Sequence, residues 1–291
     1  MAPFPTGPLP RAIGPYLVTE KLGAGGMANV YRARHSVTSD EVALKLLALH
    51  LEGQPAARAR FQHEAALVLG LRHPHILPVY DYGEDGDLPY LVMRLLGGQS
   101  LAERLESALL DPAEAARIVR QLAGALDFAH ARGIIHRDVK PANVLLDEAG
   151  APFLADFGIA AVIGETTPGE FVGTAAYAAP EQCLGEAVSG ASDQYALGVI
   201  AFEMLTGRRP FEGPTALAVL SQHIDAQPPD PLALNPALPS AVRSVLARAL
   251  AKQPAQRYRL AADFSAALDA ALDISASPDA CPPNARLSLY N

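Results

Sequence analysis

The stretch Ile134-Ile135-His136-Arg137-Asp138-Val139-Lys140-Pro141-Ala142-Asn143-Val144-Leu145 decides how this chain is read. Apolar residues at both ends anchor a loop crowded with histidine, arginine, aspartate, lysine and asparagine. Such density beside buried flanks is costly unless the groups hold one another or a ligand. Shortly after comes Phe153-Leu154-Ala155-Asp156-Phe157-Gly158, where an aspartate follows a short strand and precedes an aromatic ring and a glycine. That setting suits a metal ligand on a hinge-like turn. Gly173-Thr174-Ala175-Ala176-Tyr177-Ala178-Ala179-Pro180-Glu181 then closes a segment containing Thr166 and Thr167.

Upstream, Leu22-Gly23-Ala24-Gly25-Gly26-Met27-Ala28-Asn29-Val30-Tyr31 lies between two expected strands. Glycines there let backbone come close to an anion, because no Cβ intervenes. A dinucleotide fold needs strand, glycine turn and then helix; here Val30-Tyr31-Arg32-Ala33 reads as another strand, which favours a flap over phosphates. In Val42-Ala43-Leu44-Lys45-Leu46 a lysine sits among apolar neighbours, where its charge needs a partner. The next helical pattern offers Glu64, on the face of Phe61 and Val68, as that counter-ion.

The period changes once along the chain. Short runs at Tyr16–Leu22, Val30–Ala33, Val42–Leu47, Ile76–Tyr82 and Tyr90–Met93 read as strands, with one helix near Ala56–Leu71 and a hairpin loop at Gly83–Asp87. From Leu101 helices dominate. Asp111 is an expected N-cap, followed by Pro112 and by Glu114 reaching back as a capping box. An apolar stripe from Ile118 to Ala129 ends at Gly133. Tyr195–Leu205 is apolar nearly all round and reads as a buried helix; Val242–Ala251 and Leu260–Leu272 read as amphipathic helices.

The chain has 291 residues, half of them apolar, and a net charge of −8. That composition fills a core and argues against nucleic acid, whose phosphates need a basic face. Cys183 and Cys281 are too few for a disulfide framework or a zinc site and read as free thiols in a reducing cytosol. The N-terminus lacks a signal-peptide pattern, and no apolar run reaches the roughly 20 residues of a membrane span. The expectation is a cytoplasmic protein, with tails at 1–15 and 275–291 around one two-lobed domain: N-lobe about 16–93, hinge 94–97, C-lobe 98–274.

These motifs, in this order, resemble the eukaryotic-type protein kinases, and within them the bacterial serine/threonine branch. Lys140 two residues after Asp138 is similar to that branch. The resemblance covers about Tyr16 to Leu272 and implies an α+β bilobal fold, with a small antiparallel-sheet N-lobe carrying one helix and a larger helical C-lobe. It implies ATP with magnesium (or manganese) as cofactors and protein serine or threonine hydroxyls as acceptors. By the same resemblance Leu22, Gly23, Ala24, Gly25, Gly26, Met27, Ala28, Asn29 and Val30 cover the phosphates. Lys45, held by Glu64, grips the α- and β-phosphates. Asn143 and Asp156 hold the metal, Asp138 takes the substrate proton, and Lys140 neutralises the γ-phosphate. Val30, Ala43 and Leu145 sandwich the adenine; Met93 is the gatekeeper, and the backbone of Arg94 and Leu95 meets the purine edge. Asp193 braces the catalytic loop and Arg257 pairs Glu181.

Two positions depart from the family pattern: Ala28 stands for a third glycine, and Arg94 for an acidic hinge residue. Arg137 before Asp138 implies an activation loop ordered by phosphorylation, with Thr166 and Thr167 as candidate sites and Thr174 positioning Asp138 and Lys140. Autophosphorylation then makes the chain a monomer or a transient homodimer. A catalytically silent scaffold would have lost Lys45, Asp138, Asn143 or Asp156, and all are present. A small-molecule phosphotransferase would lack the Ala179-Pro180-Glu181 segment. A membrane span and sensor domain, common after such kinases, are not in the chain, which is either a free-standing kinase or a fragment.

Overall fold

The computed structural model describes residues 11–24, 28–47, 55–157 and 175–274. Gly25, Gly26, Met27, Gly158, Thr166, Thr167 and Thr174 lie outside the described residues, as do 1–10 and 275–291.

Six strands form the first lobe: β1 (Ala12–Ile13), β2 (Tyr16–Ala24), β3 (Ala28–His35), β4 (Glu41–Leu47), β5 (Val79–Asp85) and β6 (Leu88–Arg94). They pair antiparallel in the order β1-β2-β3-β4-β6-β5. β4 lies inside the sheet, and its Val42, Ala43, Leu44, Leu46 and Leu47 are all buried, hence the nearly unbroken apolar run. The β2–β3 register, Gly23 opposite Val30 and Ala24 opposite Asn29, puts a strand on each side of residues 25–27. That excludes the strand-to-helix context of a dinucleotide fold.

Three expectations shift here. Residues 11–15 were expected in a tail, yet Ala12–Ile13 pair with β2 and Ile13 is buried. β5 starts at Val79 rather than Ile76; Pro78 cannot donate to a ladder, and Ile76 bridges Leu154 instead. The expected loop at Gly83–Asp87 shrinks, because pairing runs on to Asp85 opposite Leu88.

Helix α1 (Pro55–Leu69) buries Phe61, Ala65 and Val68. It is fastened to β5 by the Phe61–Tyr82 ring pair and by Arg58 Nε on Glu84 Oε2 at 2.9 Å.

The second lobe is helical: α2 (Leu101–Ser107), α3 (Pro112–His130), α4 (Pro180–Leu184), α5 (Gly190–Thr206), α6 (Ala216–Asp225), α7 (Pro231–Leu234), α8 (Ala241–Ala249) and α9 (Ala261–Ala271). A small hairpin, β7 (Val144–Leu146) with β8 (Pro152–Leu154), precedes α4. The stripe Ile118, Leu122, Ala125, Leu126 and Ala129 of α3 is wholly buried against α5, itself buried from Ser192 to Thr206 apart from Glu203. Asp111 caps α3 through Ala113 N–H at 2.8 Å. Glu114 does not close a capping box; it turns to Arg104, at 3.4 Å, where a guanidinium is the better partner for a carboxylate. Gly133, at φ +75°, takes the left-handed turn beyond α3. Leu260 has no side-chain acceptor to cap α9, so Asp127 of α3 accepts from Ala261 and Ala262 N–H at 3.0 and 2.9 Å.

Candidate active site

The loop from His136 to Asn143 is held from beneath by α5. Asp193, 1% exposed, accepts from the backbone N–H of His136 and Arg137, both at 2.8 Å, and contacts His130 Nε2 at 2.8 Å. A buried carboxylate with three such contacts meets the condition under which burying the charge is tolerable. The expected brace is therefore present; His130, at the last turn of α3, is a member that the sequence did not mark.

His136 joins this loop to the next motif. Its Nδ1 accepts from Asp138 N–H at 3.3 Å, which leaves Nε2–H to donate to Ala155 O at 2.7 Å. Its ring packs on Phe157 with centroids 4.6 Å apart. Ala155 N–H donates to Asn143 O at 2.8 Å, and β7–β8 pairs Val144 with Leu154. Asn143 and Asp156 are thus drawn to one place by backbone alone.

On the loop, Lys140 Nζ lies 2.7 Å from Asp138 Oδ2, and Asn143 Nδ2 donates to the same oxygen at 3.0 Å and to Asp138 O at 2.8 Å. With Nδ2 so committed, Oδ1 of Asn143 is its remaining acceptor.

Lys45 reaches across the cleft. Its Nζ sits 2.7 Å from Asp156 Oδ2, and no Lys45–Glu64 ion pair exists among the described residues. The expected pairing is corrected: α1 turns Phe61, Ala65 and Val68 inward and is fastened by Arg58 to Glu84, leaving Asp156 as the carboxylate that Lys45 meets. Burial works to raise the pKa of Asp156, but the charge and hydrogen bond of Lys45, with smaller help from His136 and Lys140, hold it below the usual carboxylate range.

Between the lobes lies one apolar cluster. Ala43, Met93, Phe153 and Ala155 are buried in it, with Ala28, Val30, Leu95 and Leu145 packed alongside. The register explains part of this: Ala43 faces Met93, and Lys45 lies between Val30 and Leu91. Leu145 and Phe153 belong to the second lobe, so apolar faces of the two lobes meet in this cluster. Arg94, the departure at the hinge, places its guanidinium 5.0 Å from the Phe153 ring centre, a cation–π contact tying β6 to β8. A Cβ at Gly98 would collide with the Leu146 carbonyl oxygen, so the chain can pass there only as glycine.

Under the loop, Glu181 and Arg257 form a bidentate pair, both contacts 2.7 Å, at 3% and 0% side-chain exposure. Ser192 Oγ adds a third bond to Glu181 at 2.6 Å. Close by, His223 Nε2–H donates to Ala176 O at 3.2 Å, and its Nδ1 accepts from the Tyr195 hydroxyl at 2.9 Å. Burial first, and the charge of Lys252 second, lower its pKa to about 4. The unfolded chain, with an ordinary histidine near 6.5, protonates first as pH falls. Stability linked to His223 is therefore complete above about pH 6.5 and is lost by about pH 4, some 3 kcal/mol over that window. Chemical denaturation at intervals from pH 7 to 4.5 should show this slope, and His223→Gln should flatten it. An unchanged slope in that variant would remove His223 as the cause.

One sheet-rich and one helical lobe, with the Lys45–Asp156 pair on one side and the Asp138–Lys140–Asn143 cluster on the loop beside it, make up the protein-kinase fold. Residues 16–266 match the family model described as "Protein kinase domain", and the chain belongs to that family. It is 38% identical over 267 residues to the serine/threonine-protein kinase PrkC of Bacillus subtilis, covering 90% of this chain and 41% of PrkC. Against the serine/threonine-protein kinase PknE of Mycobacterium tuberculosis the identity is 42% over 264 residues, 89% of this chain and 46% of PknE. The chain thus spans less than half the length of these curated relatives. The crystal structure of the Mycobacterium tuberculosis PknI kinase domain superposes with a TM-score of 0.72 at 35% identity, covering 89% of this chain and 97% of that one. Among the described residues no helix is long and apolar enough to cross a membrane.

Proposed function

We propose that this chain transfers the γ-phosphate of ATP to serine and threonine hydroxyls of proteins, its own activation segment included. The observation that carries this is the convergence of Lys45 and Asp156, 2.7 Å apart, with the Asp138–Lys140–Asn143 cluster through the Ala155–Asn143 bond. Phosphoryl transfer needs positioning and positive charge far more than covalent chemistry, and this cleft offers both.

The residues fit a nucleotide with a hard divalent cation. Asn143 and Asp156 offer oxygen donors, which suit magnesium; manganese takes the same donors. Asn143 and Asp156 would hold the cation, which would supply charge neutralisation at the phosphates. Lys45 grips the nucleotide phosphates as a point charge. Asp138 orients the acceptor hydroxyl and takes its proton, and Lys140 sits where the transferred group carries negative charge. Val30, Ala43 and Leu145 clasp the base, with Met93 behind it and the backbone of Arg94 and Leu95 along its edge. Gly23 to Val30 lie over the phosphates. Arg137 receives a phosphorylated Thr166 or Thr167, and Thr174 steadies Asp138.

Incubating the chain with ATP, magnesium and a generic basic protein, then mapping phosphate by mass spectrometry, tests this. Phosphoserine and phosphothreonine are expected on the added protein, and phosphate on Thr166 or Thr167 in the chain. Phosphotyrosine alone would defeat the serine/threonine assignment. Active protein with no phosphate between Gly158 and Ala179 would defeat the regulatory part.

A further inference from the structure

Arg137 and Asp156 are two of the four non-glycine described residues with left-handed backbone, at φ +69° and +67°. A residue with a Cβ adopts that conformation only where its surroundings insist, and such strain gathers at functional sites. For Asp156, Lys45 and the β7–β8 hairpin supply the constraint. For Arg137 the constraint comes partly from outside the loop.

The Arg137 N–H is held by Asp193 Oδ1, part of the brace already described. Its carbonyl oxygen accepts from Gln182 Nε2 at 2.9 Å, and the amide that follows, Asp138 N–H, donates to His136 Nδ1 at 3.3 Å. The peptide unit between Arg137 and Asp138 is therefore gripped at its oxygen by Gln182 and at its nitrogen by His136. The tilt of that unit sets the direction in which the Asp138 side chain leaves the backbone.

Gln182 is itself oriented. Its Oε1 accepts from Ala179 N–H at 3.0 Å, so one end of the amide must accept and the other must donate, which settles which atom faces Arg137. Ala179 is the N-cap of α4, a few residues after Ala175–Tyr177. A single side-chain amide thus links the segment leading into α4 with the peptide preceding Asp138. The space left at this junction, lined by Arg137, Asp138, Tyr177, Gln182 and Asp193 among others, is about 10 Å³. That is at most one water, so the junction is a packed joint.

We propose that Gln182 is a positioning residue for phosphoryl transfer: it holds the Arg137–Asp138 peptide and couples the placement of the segment before α4 to the aim of the Asp138 carboxylate. This rests on Asp138 being the group that meets the acceptor hydroxyl. His136 and Asp193 grip the same stretch from the core, whereas Gln182 comes from the end of the activation segment.

The test uses the full chain. Gln182→Glu keeps the size and the acceptor for Ala179 but sets an oxygen against the Arg137 carbonyl; Gln182→Leu removes both bonds. Steady-state kcat, KM for ATP, KM for a generic basic protein and the melting temperature are measured for each. The expected result for Gln182→Glu is a kcat about tenfold lower, equal to about 1.4 kcal/mol of barrier, with KM for ATP changed less than about twofold and melting little altered. Gln182→Leu should show the same split. Both variants keeping the wild-type kcat would overturn the proposal. So would a loss of kcat matched by equal losses of ATP affinity and melting temperature, the pattern of a merely structural residue. A wild-type chain that transfers no phosphate overturns the kinase assignment beneath it, and is told apart because no variant is involved.

Discussion

Asp138→Asn is expected to bind ATP and magnesium as the wild type does and to transfer phosphate about a hundred- to ten-thousand-fold more slowly, the usual span for losing a general base. Asparagine keeps the size of aspartate, and its oxygen still accepts from Lys140 and from Asn143 Nδ2, now 2.7 and 3.0 Å from Asp138 Oδ2. What it cannot do is take a proton. In the proposed reading the nucleotide is held by Lys45 and Asp156, an ion pair 2.7 Å long on the other side of the cleft. Loss of transfer with binding intact is thus the signature of Asp138 acting on the acceptor hydroxyl. Loss of both would place it among the nucleotide ligands.

Arg257→Met is expected to lower the unfolding free energy by about 3–5 kcal/mol, the cost of leaving one member of a buried pair alone. Beyond its two bonds to Glu181, the Arg257 guanidinium donates to the carbonyls of Ala191, Lys252 and Ala251 at 2.8, 3.0 and 2.8 Å. All five donors are used, and removing them strands three carbonyls and a carboxylate. A domain of ordinary stability, about 5–15 kcal/mol, would be left marginal, with α4 loosened from α5. Urea denaturation measures this. A loss under about 1 kcal/mol would mean that the pair contributes no more than an exposed one. Glu181→Gln in the same chain should recover part of the loss, because the stranded charge is gone.

The features legible in the sequence are those written as local strings. The glycine-rich stretch, Lys45, the loop from His136 to Asn143 and the Asp156 turn each announce themselves by residue type, and both lobes follow from the change of period. The reach of Asp193 to the loop and of Arg257 to Glu181, 76 residues away in the chain, was available only through resemblance. The partner of Lys45 was not legible: Glu64 lies on the expected helix face, but which carboxylate meets Lys45 depends on how α1 seats on β5, through contacts such as Arg58–Glu84 that no local pattern encodes. Glu114 taught the same lesson at smaller scale, since Arg104 outcompetes a backbone amide. Arg94 on Phe153 and Gln182 on Arg137 unite residues from separate elements, and neither side chain is unusual in its own stretch.

The most direct test is single-turnover transfer of labelled γ-phosphate from ATP to a generic basic protein. Wild type and Asp138→Asn are compared on samples whose binding of ATP with magnesium has been titrated beforehand. The prediction is equal binding in the two proteins, with transfer by Asp138→Asn slower by about a hundredfold or more. Transfer within about tenfold of wild type, or binding lost together with transfer, would contradict the role given to Asp138 and with it the division of labour across this cleft.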